Sequence, residues 1–300
     1  MLVVLPLCIV ILMITIIIFD KRQDIRNQIL LLLVLTVSAI LMMNKNLDAD
    51  SQMFIFVALA VIIPIVTVMA IIISILAKSK EIPNNDSLNF KNELKRKAFH
   101  FVGLLIFIPS EILWVPYYMG VTGFNYMFGM NAKIVYNGFL SFEIFLVTYA
   151  LLIIFMIIEF VRLKYLPSLF GILLRKREYN RIASYFYSTT SIFFVSLVFF
   201  PQDKIVCAAI AMGFLADLAA CIVGKRLHKI AYRDRSLEGG IANFVVGTIV
   251  GYYFVGIIAI PVALVIAIID FINGAFDLRI NDNLLFPLLV AILLYVLTMF

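Results

Sequence analysis

Acidic side chains stand beside clustered cations in one segment of the sequence, "GFLADLAACIVGKRLHKIAYRDRSLEGG", residues 213–240. Asp217 lies within an apolar stretch, and Glu238 lies in a turn just before two glycines. An ionisable group inside a membrane-spanning helix is energetically costly, so its presence indicates a function. Cations suit a bound polyphosphate, and a divalent cation between phosphate and carboxylate removes their mutual repulsion. The segment therefore predicts phosphoryl or nucleotidyl transfer at the end of a membrane helix.

The composition is that of a polytopic membrane protein. Of the 300 residues, 64% are hydrophobic and 14% are charged, whereas about a quarter are charged in a soluble domain. In a membrane protein, a net charge of +6 reflects cytoplasmic loops and anionic head groups and does not indicate nucleic-acid binding. The candidate spans are roughly residues 2–19, 29–43, 53–77, 99–114, 142–161, 184–200, 205–223, 240–254, 256–270 and 284–300.

The positive charges alternate between the loops. One alternate set of loops holds 21 of the 24 lysines and arginines, and the other set holds three. Because cytoplasmic loops are enriched in Lys and Arg, we expect an all-α bundle of about ten spans, with both termini outside. Such a protein would lie in a cell membrane or a membrane of the endoplasmic reticulum type.

The polar motifs are unevenly distributed along the chain. Residues 1–80 carry none inside their spans and are predicted to form an accessory bundle of about three spans. Residues 90–300 are predicted to be the working domain, with about seven spans. The apolar run over 240–270 is too long for one span, and its glycines and Pro261 permit a short hairpin.

Several familiar kinds of site are excluded. The three cysteines, Cys8, Cys207 and Cys221, lie in apolar segments without a CxxC pair, so neither a disulfide framework nor a zinc site is indicated. The patterns GxxxxGK[ST] and GxGxxG are absent, so the phosphate site is not a P-loop or a dinucleotide-binding turn.

Further ionisable residues fall on the same predicted side of the membrane as Asp217. His100 opens the fourth span, Asp282 opens the tenth, and Glu178 lies in the loop of residues 162–183, which has the pattern of an interfacial amphipathic helix. This one-sided distribution predicts a single polar site at the cytoplasmic interface. Two acids near the same side, Glu159 and Asp270, receive no role from the sequence.

Five short motifs, in order, resemble those of the dolichol kinase, phytol kinase and CTP-dependent diacylglycerol kinase family, over roughly residues 93–300. They are "RKAFHFVG" (96–103), "RKRE" (175–178) followed by "SYFYSTT", "ADLAACIVGKRLHK" (216–229), "RSLEGGIANF" (235–244) and "NDNLLFPLL" (281–289). The chain departs from the family pattern at three positions. His228 stands where glycine is usual, Arg235 where lysine is usual, and Ser184 where glycine is common.

The resemblance implies transfer of a nucleotide γ-phosphate, often from CTP, to a membrane lipid alcohol with the help of Mg²⁺. It implies catalytic roles for Asp217, Glu238 and His100, and Asp217, Glu238 and Asp282 as candidate metal ligands. It leaves the lipid and the oligomeric state open. The residues implied to bind the nucleotide phosphates are Arg96, Lys97, Arg175, Glu178, Gly224, Lys225, Arg226, Arg235, Ser236 and Gly239.

Other interpretations of these features remain open. Residues 213–247 alone are also similar to CTP-using phosphatidate cytidylyltransferases, and a transporter or scaffold with a polar cavity is a third possibility. A transport path needs polar groups at the midplane or on both sides, which the one-sided distribution disfavours. Individually, Asp217 could form a buried ion pair with a loop arginine. Glu238 could be a solvated acid in the first turn of a helix, where the helix dipole stabilises a negative charge. Asn281 and Asp282 suit helix capping.

Overall fold

The structure is a computed structural model, and it describes residues 10, 11, 13, 14, 16–18, 25–44, 97, 132–166, 174, 178–227, 230–232, 235–276 and 280–299. These residues are mostly helical, as the composition predicts. The candidate spans over 53–77 and 99–114 lie outside the described residues, and so do four residues singled out in the sequence: Arg96, His100, Arg175 and His228.

The described fold includes seven α-helices and one short ribbon, besides helical residues between 10 and 18 and a 3₁₀ turn. The helices are α1 (Ile25–Asn44), α2 (Ala132–Lys164), α3 (Ser184–Val198), α4 (Asp203–Leu227), α5 (Leu237–Val255), α6 (Ala259–Ala275) and α7 (Asp282–Thr298). Strands β1 (Ala231–Tyr232) and β2 (Arg235–Ser236) pair antiparallel between α4 and α5.

Two described helical stretches are long and apolar enough to cross a membrane. They are Asp203–Leu227 and Leu237–Ala275. Shorter apolar helices cover Ile25–Leu41 and Asp282–Thr298. A membrane span needs about 20 apolar residues, and the 25-residue stretch Asp203–Leu227 is long enough for one.

The stretch Leu237–Ala275 is a hairpin of α5 and α6 joined by a 3₁₀ turn, Gly256–Ile258. Gly256 has a φ of 67°, which glycine adopts without strain. A Cβ added at Gly251 would lie 2.7 Å from the Cβ of Ala259, and one at Gly247 would lie 3.4 Å from that of Ala263. A residue four positions earlier in α5 thus faces a residue four positions later in α6, as expected for antiparallel helices. The sequence left open whether residues 240–270 form one span or a hairpin, and the structure has a hairpin of two helices there.

Some helices are longer than the apolar pattern indicates. α2 begins at Ala132, although its span was predicted from residue 142, and its 33 residues reach about 50 Å. Asp203, in the first turn of α4, accepts a hydrogen bond from the backbone N–H of Ser141 at 2.8 Å and one from its hydroxyl. α4 continues to Leu227, so Asp217 lies ten residues, or about 15 Å, from its end.

The core lies among α2, α3, α4 and α7. Phe145, Tyr149 and Phe193 stack at its centre with ring centroids 5.4–5.9 Å apart. α4 and α7 cross closely, because a Cβ on Gly213 would lie 3.0 Å from Cγ of Pro287. The hairpin of α5 and α6 packs on α4 and presents large apolar side chains outward, including Ile249 and Tyr253.

Candidate functional site

Three helices bring carboxylates to one end of the bundle. Asp217 comes from α4, Asp270 from α6 and Asp282 from the first turn of α7. Arg235, on strand β2, is close enough to all three for their charges to act on its guanidinium. We call these four residues, together with Lys97, the acid–base cluster. Residues far apart in the sequence thus form one polar group.

Arg235 lies at the centre of the acid–base cluster. Its guanidinium nitrogen lies 2.7 Å from Oδ1 of Asp270 and 3.3 Å from Oδ2 of Asp282. Burial by itself lowers the pKa of Arg235, but the nearby carboxylates outweigh this effect and raise the pKa above its usual value. A Cβ at Gly274 would overlap the Arg235 stem, so glycine at 274 leaves room for the side chain. Arg235 therefore stays charged and holds α6 and α7 together.

Asp270 is a buried member of the acid–base cluster that the sequence left without a role. It is 2% exposed, and its Oδ2 accepts a hydrogen bond from the side-chain amide of Asn243 at 3.2 Å. A buried carboxylate is tolerated when it is paired and hydrogen-bonded. Here Arg235 supplies the ion pair and Asn243 supplies the hydrogen bond. The sequence contained a signal for it, because Asp270 ends the uninterrupted apolar run that precedes another polar residue, Asn273.

Asp217 pairs with Lys97. The Lys97 ammonium contacts Oδ2 of Asp217, and it also donates to the Asp217 backbone carbonyl at 3.1 Å. Both residues are buried. The sequence suggested a loop arginine as the alternative partner of Asp217, and the structure places a lysine there. The other carboxylate oxygen, Oδ1, is buried and has no hydrogen-bond partner among the described residues.

The carboxylates fit a divalent cation only in part. Among the residues that the structure describes, no three His, Cys, Asp or Glu side chains could hold a metal ion together. The expected ligands Asp217, Glu238 and Asp282 are therefore not gathered into one such group, because Asp282 faces Arg235 and Glu238 faces the turn before β1. Mg²⁺ in nucleotide sites usually takes one or two carboxylates and completes its shell with phosphates and waters. Oδ1 of Asp217 suits one such position.

The junction of α4 and α5 holds four of the predicted site residues, and their contacts there are structural. Ser236 is the N-cap of α5, and its hydroxyl accepts from the Gly239 N–H at 3.1 Å. Glu238 stands in the first turn of α5, where its Oε1 accepts from the Ile230 N–H at 3.1 Å. Gly224 and Gly239 let the two helices touch, because a Cβ on Gly224 would lie 2.9 Å from the Ser236 hydroxyl oxygen.

Replacing Gly239 by alanine is expected to destabilise this junction. The new methyl group would lie 3.0 Å from the Ala220 carbonyl oxygen and 3.4 Å from Cα of Gly224, so backbone must move. We expect a loss of about 1–3 kcal/mol in the free energy of unfolding, the usual cost of overpacking. Thermal unfolding in detergent measures it.

The neighbouring Gly240 provides the matched control. Of the residues that the structure describes, a Cβ there meets only Phe271, at 3.9 Å. Gly240→Ala should therefore leave stability unchanged or raise it through better helix propensity. Equal losses in Gly239→Ala and Gly240→Ala would contradict the packing explanation.

Two further predicted phosphate ligands, Lys225 and Arg226, lie exposed in the last turn of α4. Cations are favoured at a helix C-terminus, where the carbonyl groups carry partial negative charge. Their side chains face solvent at the α4 end of the ribbon that carries Arg235. Because both side chains are exposed, a ligand that approaches from outside the bundle can reach them.

Glu178 is held through its backbone by a second buried ion pair. Arg162, fully buried near the end of α2, pairs with Glu159 at 2.6 Å and donates to the carbonyls of Glu178 at 2.8 Å and Tyr179 at 3.2 Å. It also donates to the Arg181 carbonyl. The sequence left Glu159 unassigned, although an acid and an arginine three residues apart share a helix face. The pair fixes the turn that leads into α3.

One protein to which the chain is similar is an uncharacterized protein of Methanocaldococcus jannaschii, 35% identical over 101 residues. The aligned part is 33% of this chain and 52% of that protein, so the chain spans about half the length of the curated relative it matches. No protein-family model matches the chain, and no solved structure matches it. The argument for function therefore depends on the site itself.

Proposed function

We propose that this protein is an integral membrane kinase that transfers the γ-phosphate of a nucleotide, CTP, to the hydroxyl group of a lipid alcohol. The observation that carries the proposal is the acid–base cluster, where Asp217, Asp270 and Asp282 converge on Arg235 at one end of an apolar bundle. The five motifs that resemble the dolichol and phytol kinase family support the same reaction and favour CTP over ATP.

The charge of the acid–base cluster supports a requirement for a divalent cation. Among the described residues, three carboxylates stand against two cations, Lys97 and Arg235. A polyphosphate entering this cluster would meet a negative excess unless a divalent cation accompanied it. When bound, Mg²⁺ would neutralise charge on the phosphate oxygens, with Asp217 as its protein ligand. The same residues without such a cation would repel the substrate.

In the proposed reaction, the lipid hydroxyl oxygen forms a bond to the γ-phosphorus, and the bond between that phosphorus and the β–γ bridging oxygen breaks. CDP leaves, and a carboxylate of the acid–base cluster takes the hydroxyl proton. Lys97 and Arg235 stabilise the negative charge that develops on the transferring group, and Lys225 and Arg226 hold the nucleotide phosphates from the solvent side. Positioning and electrostatics supply most of the acceleration in such transfers.

The finer topology belongs to the same proposal. A multi-pass bundle of about ten spans would place the acid–base cluster at the cytoplasmic face, where nucleotides are present. The uneven loop charges support this orientation, because 21 of the 24 lysines and arginines fall in one alternate set of loops. The outward apolar side chains of α5 and α6 support contact with lipid, since a soluble surface rarely exposes such a patch.

A matrix of nucleotides against lipid alcohols tests the proposed activity. We expect the purified full-length protein to phosphorylate a polyprenol, phytol or diacylglycerol with CTP, and to work less well with ATP. Chelation of divalent cations by EDTA should abolish the transfer. Absence of a phosphorylated lipid with every nucleotide and every alcohol would contradict the proposal. If the protein instead converts a lipid phosphate, such as phosphatidate, and CTP into a CDP-lipid with release of pyrophosphate, the cytidylyltransferase alternative is indicated.

A further inference from the structure

The turn that carries Asp282 is held from two sides by asparagines of other helices. Its residues, Ile280 and Asn281, precede α7, and Asp282 begins it. Asn281 caps this helix, because its Oδ1 accepts from the Asn283 N–H at 3.1 Å. Capping fixes the start of α7 but does not fix its place relative to β2, where Arg235 lies. Contacts from outside α7 must do that.

The first outside contact comes from Asn273, near the end of α6. Its side-chain amide donates to the Ile280 carbonyl at 2.9 Å, and its Oδ1 accepts from the Ile280 N–H at 3.2 Å. Both backbone polar groups of one residue are thus paired with a single side chain. Asn273 is buried, and it lies three residues from Asp270 on the same helix. The two acids that bind Arg235 are therefore linked through α6.

The second contact comes from the N-terminal part of the chain. Asn27, in the first turn of α1, accepts a hydrogen bond from the Asn281 N–H at 2.7 Å. Asn27 is 4% exposed and its neighbour Gln28 is 6% exposed, in a helix whose other residues are mostly apolar. A buried polar group at a helix start needs a partner, and here the partner is the residue next to Asp282.

We propose that Asn27 and Asn273 are positioning residues that fix Asp282 against Arg235. Residues 1–80 then contribute to the site through α1. That Asn27 and Asn273 hold the turn is independent of the reaction, and only its effect on phosphate transfer rests on the proposed function. Neither asparagine needs to touch a substrate, because each acts through the backbone of the turn.

Hydrogen exchange and kinetics on the full-length protein test this proposal together. Asn27→Leu removes the acceptor at similar volume, and Asn27→Asp retains an oxygen that accepts from the Asn281 N–H. In Asn27→Leu we expect the amides of Ile280 to Asn283 to exchange at least about tenfold faster, relative to amides of α3. We also expect kcat for phosphate transfer to fall about tenfold with KM for the lipid unchanged, and Asn27→Asp to recover part of it.

Ser38→Ala is the matched control. Ser38 is a buried polar residue of the same helix, but among the described residues its hydroxyl bonds only back to Val34 within α1, at 2.8 Å. Its replacement should change neither the exchange of the turn nor kcat. If Asn27→Leu fails to fold, Asn273→Ala loosens Ile280 from the other side and should give the same local exchange.

The outcomes separate this proposal from the proposed function. Unchanged exchange of the turn in Asn27→Leu and Asn273→Ala would overturn the positioning role. Faster exchange with unchanged kcat in an active enzyme would overturn it as well. If the wild-type protein phosphorylates no lipid alcohol, the proposed function fails, and the exchange rates alone decide whether the two asparagines hold the turn.

Discussion

Replacing Asp217 by asparagine is expected to lower phosphate transfer at least about a hundredfold, the usual scale for a group that moves a proton or holds charge in the transition state. Asp217 is buried in α4, and its Oδ1 has no hydrogen-bond partner among the described residues. Asparagine keeps the shape of the side chain but removes the negative charge, so residue 217 can no longer bind a metal ion as a carboxylate or accept a proton. Transfer of labelled γ-phosphate from CTP to lipid measures the loss.

The same substitution leaves Lys97 buried beside a neutral side chain. Breaking a buried ion pair by removing one partner costs about 3–5 kcal/mol, so Asp217→Asn should also lower the unfolding temperature. The double variant Asp217→Asn with Lys97→Gln removes both charges and should recover much of that stability without recovering activity. This combination separates the chemical role of Asp217 from its structural one.

Asp203→Asn is the control for Asp217. Asp203 belongs to the same helix but lies at the opposite end, where it accepts hydrogen bonds from Ser141. Its replacement should change stability modestly and leave the transfer rate within about twofold, as expected for a site away from the chemistry. Full activity of Asp217→Asn would contradict the proposed role of this carboxylate.

Replacing Arg235 by methionine is expected to damage both the fold and the activity. Arg235 joins Asp270 and Asp282, and its removal leaves two carboxylates facing each other without their cation. The loss should be about 3–5 kcal/mol, together with loss of measurable phosphate transfer. Thermal unfolding in detergent and the lipid phosphorylation assay measure the two effects on the same preparation.

Two further variants make the Arg235 result specific. Arg235→Lys keeps the charge but replaces the planar guanidinium, which reaches two carboxylates, with a single ammonium group. We therefore expect a stability between those of the wild type and Arg235→Met, and partial activity. Lys164→Met removes an exposed cation at the end of α2, where the ammonium lies over the rings of Phe160 and Tyr165. It should cost about 1 kcal/mol or less. Equal behaviour of Arg235→Met and Lys164→Met would contradict the bridging role.

The helical class of the fold could be predicted, because the length of an apolar stretch is a local property of a sequence. The hairpin of α5 and α6 follows from an apolar run too long for one span that contains Gly256. The full length of α2 could not be predicted, since Lys133, Asn137 and Gly138 interrupt the apolar pattern over residues 132–141. Helix length there follows from contacts such as that of Ser141 with α4.

The site was predictable in part, for a related physical reason. Asp217 could be predicted from its apolar surroundings in the sequence, and Arg235 from its motif. Which carboxylate meets which cation depends on the rotation and crossing of α4, α6 and α7, which a sequence does not state. The pairs of Asp270 with Arg235 and of Lys97 with Asp217 therefore emerged only in three dimensions. So did the contact of Asn27 with Asn281 across 254 residues.

The most direct test of the proposed reaction follows two phosphorus atoms of CTP in one experiment. Full-length protein is incubated with a lipid alcohol and CTP labelled with different isotopes at the α and γ positions. The proposed reaction predicts that the lipid product carries the γ label alone, while the α label stays in CDP in the aqueous phase. A lipid that carries the α label, with the γ label released in pyrophosphate, would contradict it.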